Sequence, residues 1–298
     1  MPRLHLGDGL RGLQGLGPSS VDLTLTSPPF GNIREFGGHR LTTEIFEGVA
    51  TELWRTTRPG GVVCWQEGDE VLKEGAGKGG YSGLSWRHVH HFQDLGFLLW
   101  DVIITGSVGK RFPIPRRYSR PPVYISVLTK GEPETVNLLR DRKNKTAGQV
   151  FRHNERRSDG SLFLRSKGYV VPPYGARTTI WLYPTGHKVT TDRTEHPALM
   201  HEALARDLVR GYSRRGDLVC DPFAGACTTG KMAVLLGRDF VGWEIHPPYH
   251  ATGERRLHAA IDHARREALR SLVRGSGQAT SPGCAKRAGD SETGSPRQ

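Results

Sequence analysis

Residues 216–245 read GDLVCDPFAGACTTGKMAVLLGRDFVGWEI. A β-branched run ends at Asp221, the small residues Ala224, Gly225 and Ala226 make a tight turn, Thr228 and Thr229 open a helical stretch, and a second run ends at Glu244. This order of strand, turn, helix, strand and acid is a nucleotide-type layout. The turn lets a ligand approach the backbone, and the final carboxylate is placed for ribose hydroxyls. The turn departs from GxGxxG and is not a GxxxxGK[ST] phosphate loop, so a ligand with a ribose and no pyrophosphate fits it better.

Outward from this unit, β-branched runs at 4–6, 21–26, 61–65, 98–105, 123–129, 217–220 and 239–244 alternate with helical patterns. The helices are expected at 43–57, 199–212, 228–236 and 250–272; in the first, Ile45, Phe46, Val49, Leu53 and Trp54 share one face before RPGG closes it. Alternation of this kind predicts an α/β fold, a mainly parallel sheet with helices on both faces. Ligands of such sheets sit where strands deliver their C-terminal ends. A second such end is VDLTLTSPPF, 21–30. The two prolines fix φ and make a stiff loop that presents carbonyl acceptors in a set direction.

Composition narrows the partner. The chain has 298 residues and 33.0 kDa, with 42 Lys/Arg against 30 Asp/Glu for a net charge of +12 and a pI near 9.8. Such a balance favours a polyanion. Mean hydropathy is −0.48, and no run approaches the roughly 18 apolar residues of a membrane span. The start MPRLHLGDGL lacks a secretory pattern, so a cytoplasmic protein with reduced thiols is expected. Cys64, Cys220, Cys227 and Cys284 have no metal-ligand spacing, and no metal is expected.

The charge is concentrated. Between residues 106 and 168 there are 15 Lys/Arg and 5 Asp/Glu, a surplus of 10, which leaves +2 for the rest. Guanidiniums interleave with rings in GKRFPIPRRYSRPP, a pattern suited to nucleic acid, whereas a plain solvated loop is the simpler alternative. Lys110, Arg111, Arg116, Arg117 and Arg120 are the candidate phosphate contacts, and Arg152, Asn154 and Arg156 in FRHNERRSDG are suited to base edges. The stretch 275–298 is Gly/Ser/Pro-rich and reads as a tail without a core.

These residues resemble the amino-methylating DNA methyltransferases that use S-adenosyl-L-methionine, in the permuted order where the catalytic motif precedes the cofactor motif. TSPPF at 26–30 looks like the (D/N/S)PP(Y/F) tetrad, and DPFAGACTT at 221–229 is similar to DPFxGxGTT. LHLGD at 4–8, RPGGVV at 58–63, GFLLWDVIIT at 96–105, YISVLTKG at 124–131 and HPALMHEALARDLV at 196–209 extend the resemblance over residues 4–260. One departure stands out: Cys227 occupies the place of the family's second glycine, so a side chain enters where the family keeps backbone open to the methionine moiety.

The resemblance implies a Rossmann-like methyltransferase fold. Its parts would be a catalytic half at 1–131, a target-recognition insert at 132–180, a cofactor half at 181–272 and a tail at 273–298. An exocyclic base amine is a poor nucleophile because its lone pair is delocalised into the ring. Ser27 and the Pro28 carbonyl would hold its two protons, Pro29 would stiffen the corner, and Phe30 would stack on the flipped base. Asp8, Thr26, His196, Asp221, Phe223, Gly225, Thr228, Thr229 and Glu244 would line the cofactor site, with Asp221 meeting an ammonium or bracing the turn. Asp8 and Glu244 have the alternative of a helix cap or loop brace. Ring-carbon methylation needs a cysteine nucleophile, which that class places after proline, and no cysteine here follows one. The SPPF form favours cytosine N4. Adenine N6 is the alternative, and a catalytically silent nucleic-acid-binding module on the same fold is another. Double-stranded DNA is the implied substrate, and a cognate restriction endonuclease a candidate partner.

Overall fold

The computed structural model describes residues 2–29, 40–69, 71–72, 78–108, 123–151, 154–164, 168–184, 190, 192 and 199–276. The first half contains β1 (Arg3–Leu6), α1 (Gly9–Gln14), β2 (Val21–Thr26), α2 (Thr43–Thr56) and β3 (Thr57–Gly68). These are followed by α3 (Leu84–Asp94), β4 (Leu98–Val108) and β5 (Val123–Thr129). Short strands then run from β6 (Arg142–Lys143) and β7 (Val150–Phe151) through β8 (Asn154–Arg156), β9 (Leu162–Leu164) and β10 (Tyr169–Val170) to β11 (Tyr174–Gly175). The second half holds β12 (Ile180–Pro184), α4 (Glu202–Tyr212), β13 (Leu218–Asp221), α5 (Thr228–Leu235), β14 (Asp239–Glu244) and α6 (Pro247–Ser276).

Eight strands form one sheet in the order β1-β14-β13-β2-β3-β5-β4-β12. Neighbours are parallel except at β5, which runs against both β3 and β4. Both faces are covered. Leu204, Leu208, Met232 and Leu257 from α4, α5 and α6 pack on one, and Leu13, Phe46, Leu53 and Phe92 from α1, α2 and α3 pack on the other. β3 shows why its sequence is a continuous apolar run: Val62 and Cys64 point into the first core, Val63 and Trp65 into the second.

Local signals start the helices. The Thr42 hydroxyl accepts from the Ile45 N–H to cap α2, which then buries Phe46, Val49, Ala50 and Leu53; the three larger side chains contribute about 1.5–3 kcal/mol each before ordering costs. Prolines at 247 and 248 open α6, where no intrahelical N–H is needed, so this helix begins earlier than its apolar spacing predicts. All seven expected strands form. The helices α1 and α3, the edge strand β12 and the small insert strands are additional.

The insert region is differently built. Its described residues form three separate two-stranded antiparallel ladders, β10 with β7, β11 with β6 and β8 with β9. Of the tail expected at 273–298, residues 273–276 belong to α6, and 277–298 lie outside the described residues. Among the described residues no helix is long and apolar enough to cross a membrane.

Candidate active site

β2 and β13, whose ends carry the two sequence motifs, are neighbouring strands. Leu23 pairs with Val219 and Thr24 with Cys220. Two hydrogen bonds tie the end of β2 to the end of β13 and to the first turn of α5. The Thr26 hydroxyl donates to Asp221 Oδ1 at 2.7 Å, and the Thr229 hydroxyl donates to the Leu25 carbonyl at 3.2 Å. The Ser-Pro-Pro corner and the Asp-Pro-Phe turn therefore leave the same edge side by side, although the bonds span 195 and 204 positions of chain. Pro28 is buried, and Ser27 and Pro29 are half-buried. Phe30 and His196 lie outside the described residues.

The turn is held from below. Phe223 N–H donates to Asp221 Oδ1 at 3.1 Å, Ala224 N–H to the Trp243 carbonyl at 2.9 Å, and Gly225 N–H to Glu244 Oε2 at 2.9 Å. The other Glu244 oxygen accepts from His246 N–H at 2.8 Å. Glu244 thus braces the turn against β14, and each carboxylate oxygen keeps a further lone pair for a ligand. Gly225 has φ 53°, the left-handed backbone that glycine reaches without a Cβ penalty. Burial pushes the Asp221 carboxyl up to about 7, opposed by the Thr26 and Thr229 hydroxyls and the Phe223 N–H. Burial also raises Glu244, against its bonds from His246 and Gly225.

Asp8 takes the cap role that its position allowed. It precedes α1 and accepts from Arg11 N–H at 2.9 Å. The following Gly9 lies so close to the turn that a Cβ there would sit 2.1 Å from the Pro222 carbonyl oxygen. Asp8 is thereby set beside the Asp-Pro-Phe turn.

Cys227 resolves a conflict visible in the sequence. It adopts φ 58°, ψ 41°, the conformation a glycine would take with less strain. Its side chain is fully buried beneath the turn, against Gly230 of α5 and Gly253 of α6, where a Cβ would meet Cys227 Sγ at 2.5 Å and Cys227 Cβ at 3.1 Å. Burial raises the thiol far above its usual range, which leaves it an inert packing group.

Of the candidate DNA contacts, Lys110, Arg111, Arg116, Arg117, Arg120 and Arg152 lie outside the described residues. Arg156 is exposed on β8, and Asn154 begins that strand. The structure adds aromatic groups that spacing did not single out. Phe151 and Tyr169 are exposed with ring centroids 6.5 Å apart, and Arg157 stands over Phe163 at 4.7 Å. Also missed by the sequence reading are Trp65, whose ring meets Phe223 edge-on at 6.3 Å, and Arg256, which reaches the turn from α6.

Known proteins share the sequence and the fold of this chain. M.BamHII, an orphan methyltransferase of Bacillus amyloliquefaciens, is 38% identical over 249 residues, 82% of this chain and 91% of that protein. The DNA adenine methyltransferase YhdJ of Escherichia coli K12 is 36% identical over 282 residues, 91% of this chain and 87% of the relative. Among solved structures, the PvuII cytosine-N4-specific DNA methyltransferase superposes with a TM-score of 0.62 at 18% identity, covering 89% of this chain and 92% of that one. The M1.HpyAVI complex with S-adenosylmethionine gives 0.55 at 20% identity, covering 86% and 100%. These likenesses make the fold the Rossmann-like one of methyltransferases. The N6/N4 methyltransferase family model, described as DNA methylase, matches residues 21–255, and the chain belongs to that amino-methylating DNA methyltransferase family.

Proposed function

We propose that the chain methylates the N4 amine of cytosine in double-stranded DNA, with S-adenosyl-L-methionine as methyl donor and Ser27 and Pro28 as the groups that activate the amine. The observation that carries this reading is the pair of bonds that ties the end of β2 to the cofactor-type unit, Thr26 to Asp221 and Thr229 to the Leu25 carbonyl. It sets the Ser-Pro-Pro corner beside the Asp-Pro-Phe turn at the ends of neighbouring parallel strands, which is the adjacency this reading needs.

The donor set suits the cofactor. Two buried carboxylates lie at the ends of neighbouring strands, both raised by burial, and a ligand carrying positive charge and a ribose diol would relieve that penalty. Glu244 would take the diol and Asp221, already a brace, would favour an ammonium nearby. Phe223 and Gly225 would line the turn, and Thr228 and Thr229 would open α5 behind it. Asp8 and His196 would close the adenine and methionine ends. When bound, S-adenosyl-L-methionine supplies the sulfonium methyl.

The chain's own part is to localise a lone pair. The amine donates one N–H to Ser27 Oγ and the other to the Pro28 carbonyl, which holds the nitrogen closer to tetrahedral and aims its lone pair. Pro29 keeps that carbonyl from rotating. Phe30 stacks on the extruded base and offsets part of the few kcal/mol of unstacking. Residues 132–180 form the target-recognition insert, and the basic stretch before and within it neutralises phosphates. A cognate restriction endonuclease is the partner whose cutting such a mark would block.

The 36% identity to a protein named as a DNA adenine methyltransferase favours a second reading, adenine N6. Incubating the purified chain with S-adenosyl-L-methionine and unmodified plasmid, then hydrolysing the DNA to nucleosides for mass spectrometry, separates the two. N4-methylcytosine is expected. N6-methyladenine alone replaces the first reading with the second, and neither product leaves the silent binding module.

A further inference from the structure

Arg256 is only 5% exposed, an uncommon place for a guanidinium. Its partners explain the placement. Nε donates to Asp192 Oδ2 at 2.9 Å, and one terminal nitrogen donates to Glu202 Oε1 at 2.7 Å and Thr190 Oγ1 at 3.2 Å. The other donates to the Ala226 carbonyl and, at 3.1 Å, to Thr228 Oγ1. Lys231 Nζ shares the same two acids, at 2.7 Å to Asp192 and 2.8 Å to Glu202. Among the described residues, two cations and two carboxylates are thus gathered beside the Ala224–Thr229 turn, and the arginine fork is what reaches the turn itself.

One turn earlier on α6, Gly253 makes the complementary contact. A Cβ there would sit 2.7 Å from Leu4 Cδ2 of β1, the movable end of a side chain, and 3.1 Å from both the Gly225 carbonyl and Cys227 Cβ of the turn, tighter than side chains normally pack. The bare backbone of α6 is therefore pressed against the turn where Cys227 holds a left-handed conformation, while Arg256 holds the next carbonyl and hydroxyl. A hydrogen bond from a charged donor is stronger than a neutral one, and the planar fork spends no further rotamer freedom in making two at once.

We propose that α6 clamps the cofactor turn, with Arg256 as its positioning residue and Gly253 as the notch that lets this chain keep a side chain at Cys227. The inference rests on the cofactor reading above and extends it to residues outside the two motifs. Arg256 acts through the turn and needs no contact with substrate. Its effect should fall on cofactor binding and leave the DNA surface alone.

The test uses the full chain and titration calorimetry with S-adenosylhomocysteine, which binds without transfer, beside DNA binding in the absence of cofactor and thermal melting. Arg256→Lys keeps the charge and loses the fork, and it should weaken S-adenosylhomocysteine by ~10-fold, as expected for losing a charged hydrogen bond, with DNA affinity unchanged. Lys231→Met removes the other cation of the cluster and should lower the melting temperature without that loss of affinity. Unaltered affinity in Arg256→Lys, or an equal loss in Lys231→Met, overturns the clamp in favour of a merely structural cluster. Should Arg256→Lys not fold, Gly253→Ala leaves all four charges in place; weakened binding supports the clamp and unweakened binding overturns it. Failure of the unaltered chain to bind is a different result, which sinks the cofactor reading and the clamp with it.

Discussion

The turn at 221–229 joins β13 to α5, and the region 132–180 joins β5 to β12; the two connections are built on opposite terms. The turn is tied to the sheet and to the helix behind it, Asp221 to Thr26, Glu244 to Gly225 and Arg256 to Ala226, and closed on itself by Phe223 N–H to Asp221 and Cys227 N–H to the Ala224 carbonyl. The insert has two-residue and three-residue ladders and leaves Val150, Phe151, Tyr169 and Val170 in solvent. A site that must hold one small molecule in one pose benefits from over-determined geometry. A surface that meets a long charged polymer benefits from exposed rings and cations. The difference teaches where rigidity and where adaptability are placed in the same molecule.

The comparison can be broken most forcefully with two aromatic truncations. Trp65 is fully buried beside Phe223, and Trp65→Ala should cost about 3–5 kcal/mol of stability, read by denaturant unfolding. Phe151→Ala, on the exposed ladder, should change stability by no more than about 0.5 kcal/mol while weakening DNA binding. Equal stability losses would show the insert to be as well packed as the core.

Next in size is a pH effect. The Asp221 pKa is raised from 3.8 to about 7 in the folded chain, so folding favours the protonated acid. Stability from this group is full below about pH 4 and is lost as pH rises toward about 7. Asp221→Asn keeps an acceptor for Thr26 and Phe223 N–H and should melt higher than the unaltered chain above pH 7, with the gap closing toward pH 4. A constant gap across that range would remove the burial argument.

The insert predicts a graded salt response. Neutralising Arg156 and Arg157 together should lower the slope of log affinity for duplex DNA against log salt by up to about 0.9 per lost phosphate contact, measured by fluorescence anisotropy. The same titration on Arg256→Lys should keep the full slope. Smallest of all, Cys227→Gly exchanges relief of left-handed strain, about 1–2 kcal/mol, for the entropy of a glycine and a lost buried sulfur. Its melting temperature should stay close to that of the unaltered chain. In native protein Cys64, Cys220 and Cys227, all buried, should resist a thiol reagent that labels them after denaturation.

Much of the turn was legible because its information is local. Asp221, Gly225, Thr228, Thr229 and Glu244 follow one another within a single strand-turn-helix-strand unit, so residue types at fixed spacing report the geometry directly. α3 was not legible. Its buried face consists of Ser85, His88, Val89 and Phe92, and His88 is tolerated inside because Glu67 accepts from it at 2.6 Å and Phe46 stacks on its ring at 3.7 Å. β12 escaped notice for the reverse reason: Ile180 and Leu182 are exposed and only Trp181 between them is buried, as an edge strand allows. Arg256 stands beside Arg255 in the sequence, and nothing local says which of the two turns inward.

The sequence alone located the seven expected strands, with β3 and β4 each running three residues further than their apolar runs, and the two motifs and the basic segment, because backbone propensity, proline stiffness and charge density act over a few residues. The tertiary structure decided that β2 lies against β13, that β5 runs backwards between β3 and β4, and that α6 brings Arg256 to the turn. Those outcomes depend on burying both faces of one sheet at once and on finding partners for every buried charge, and both are properties of the whole packed chain.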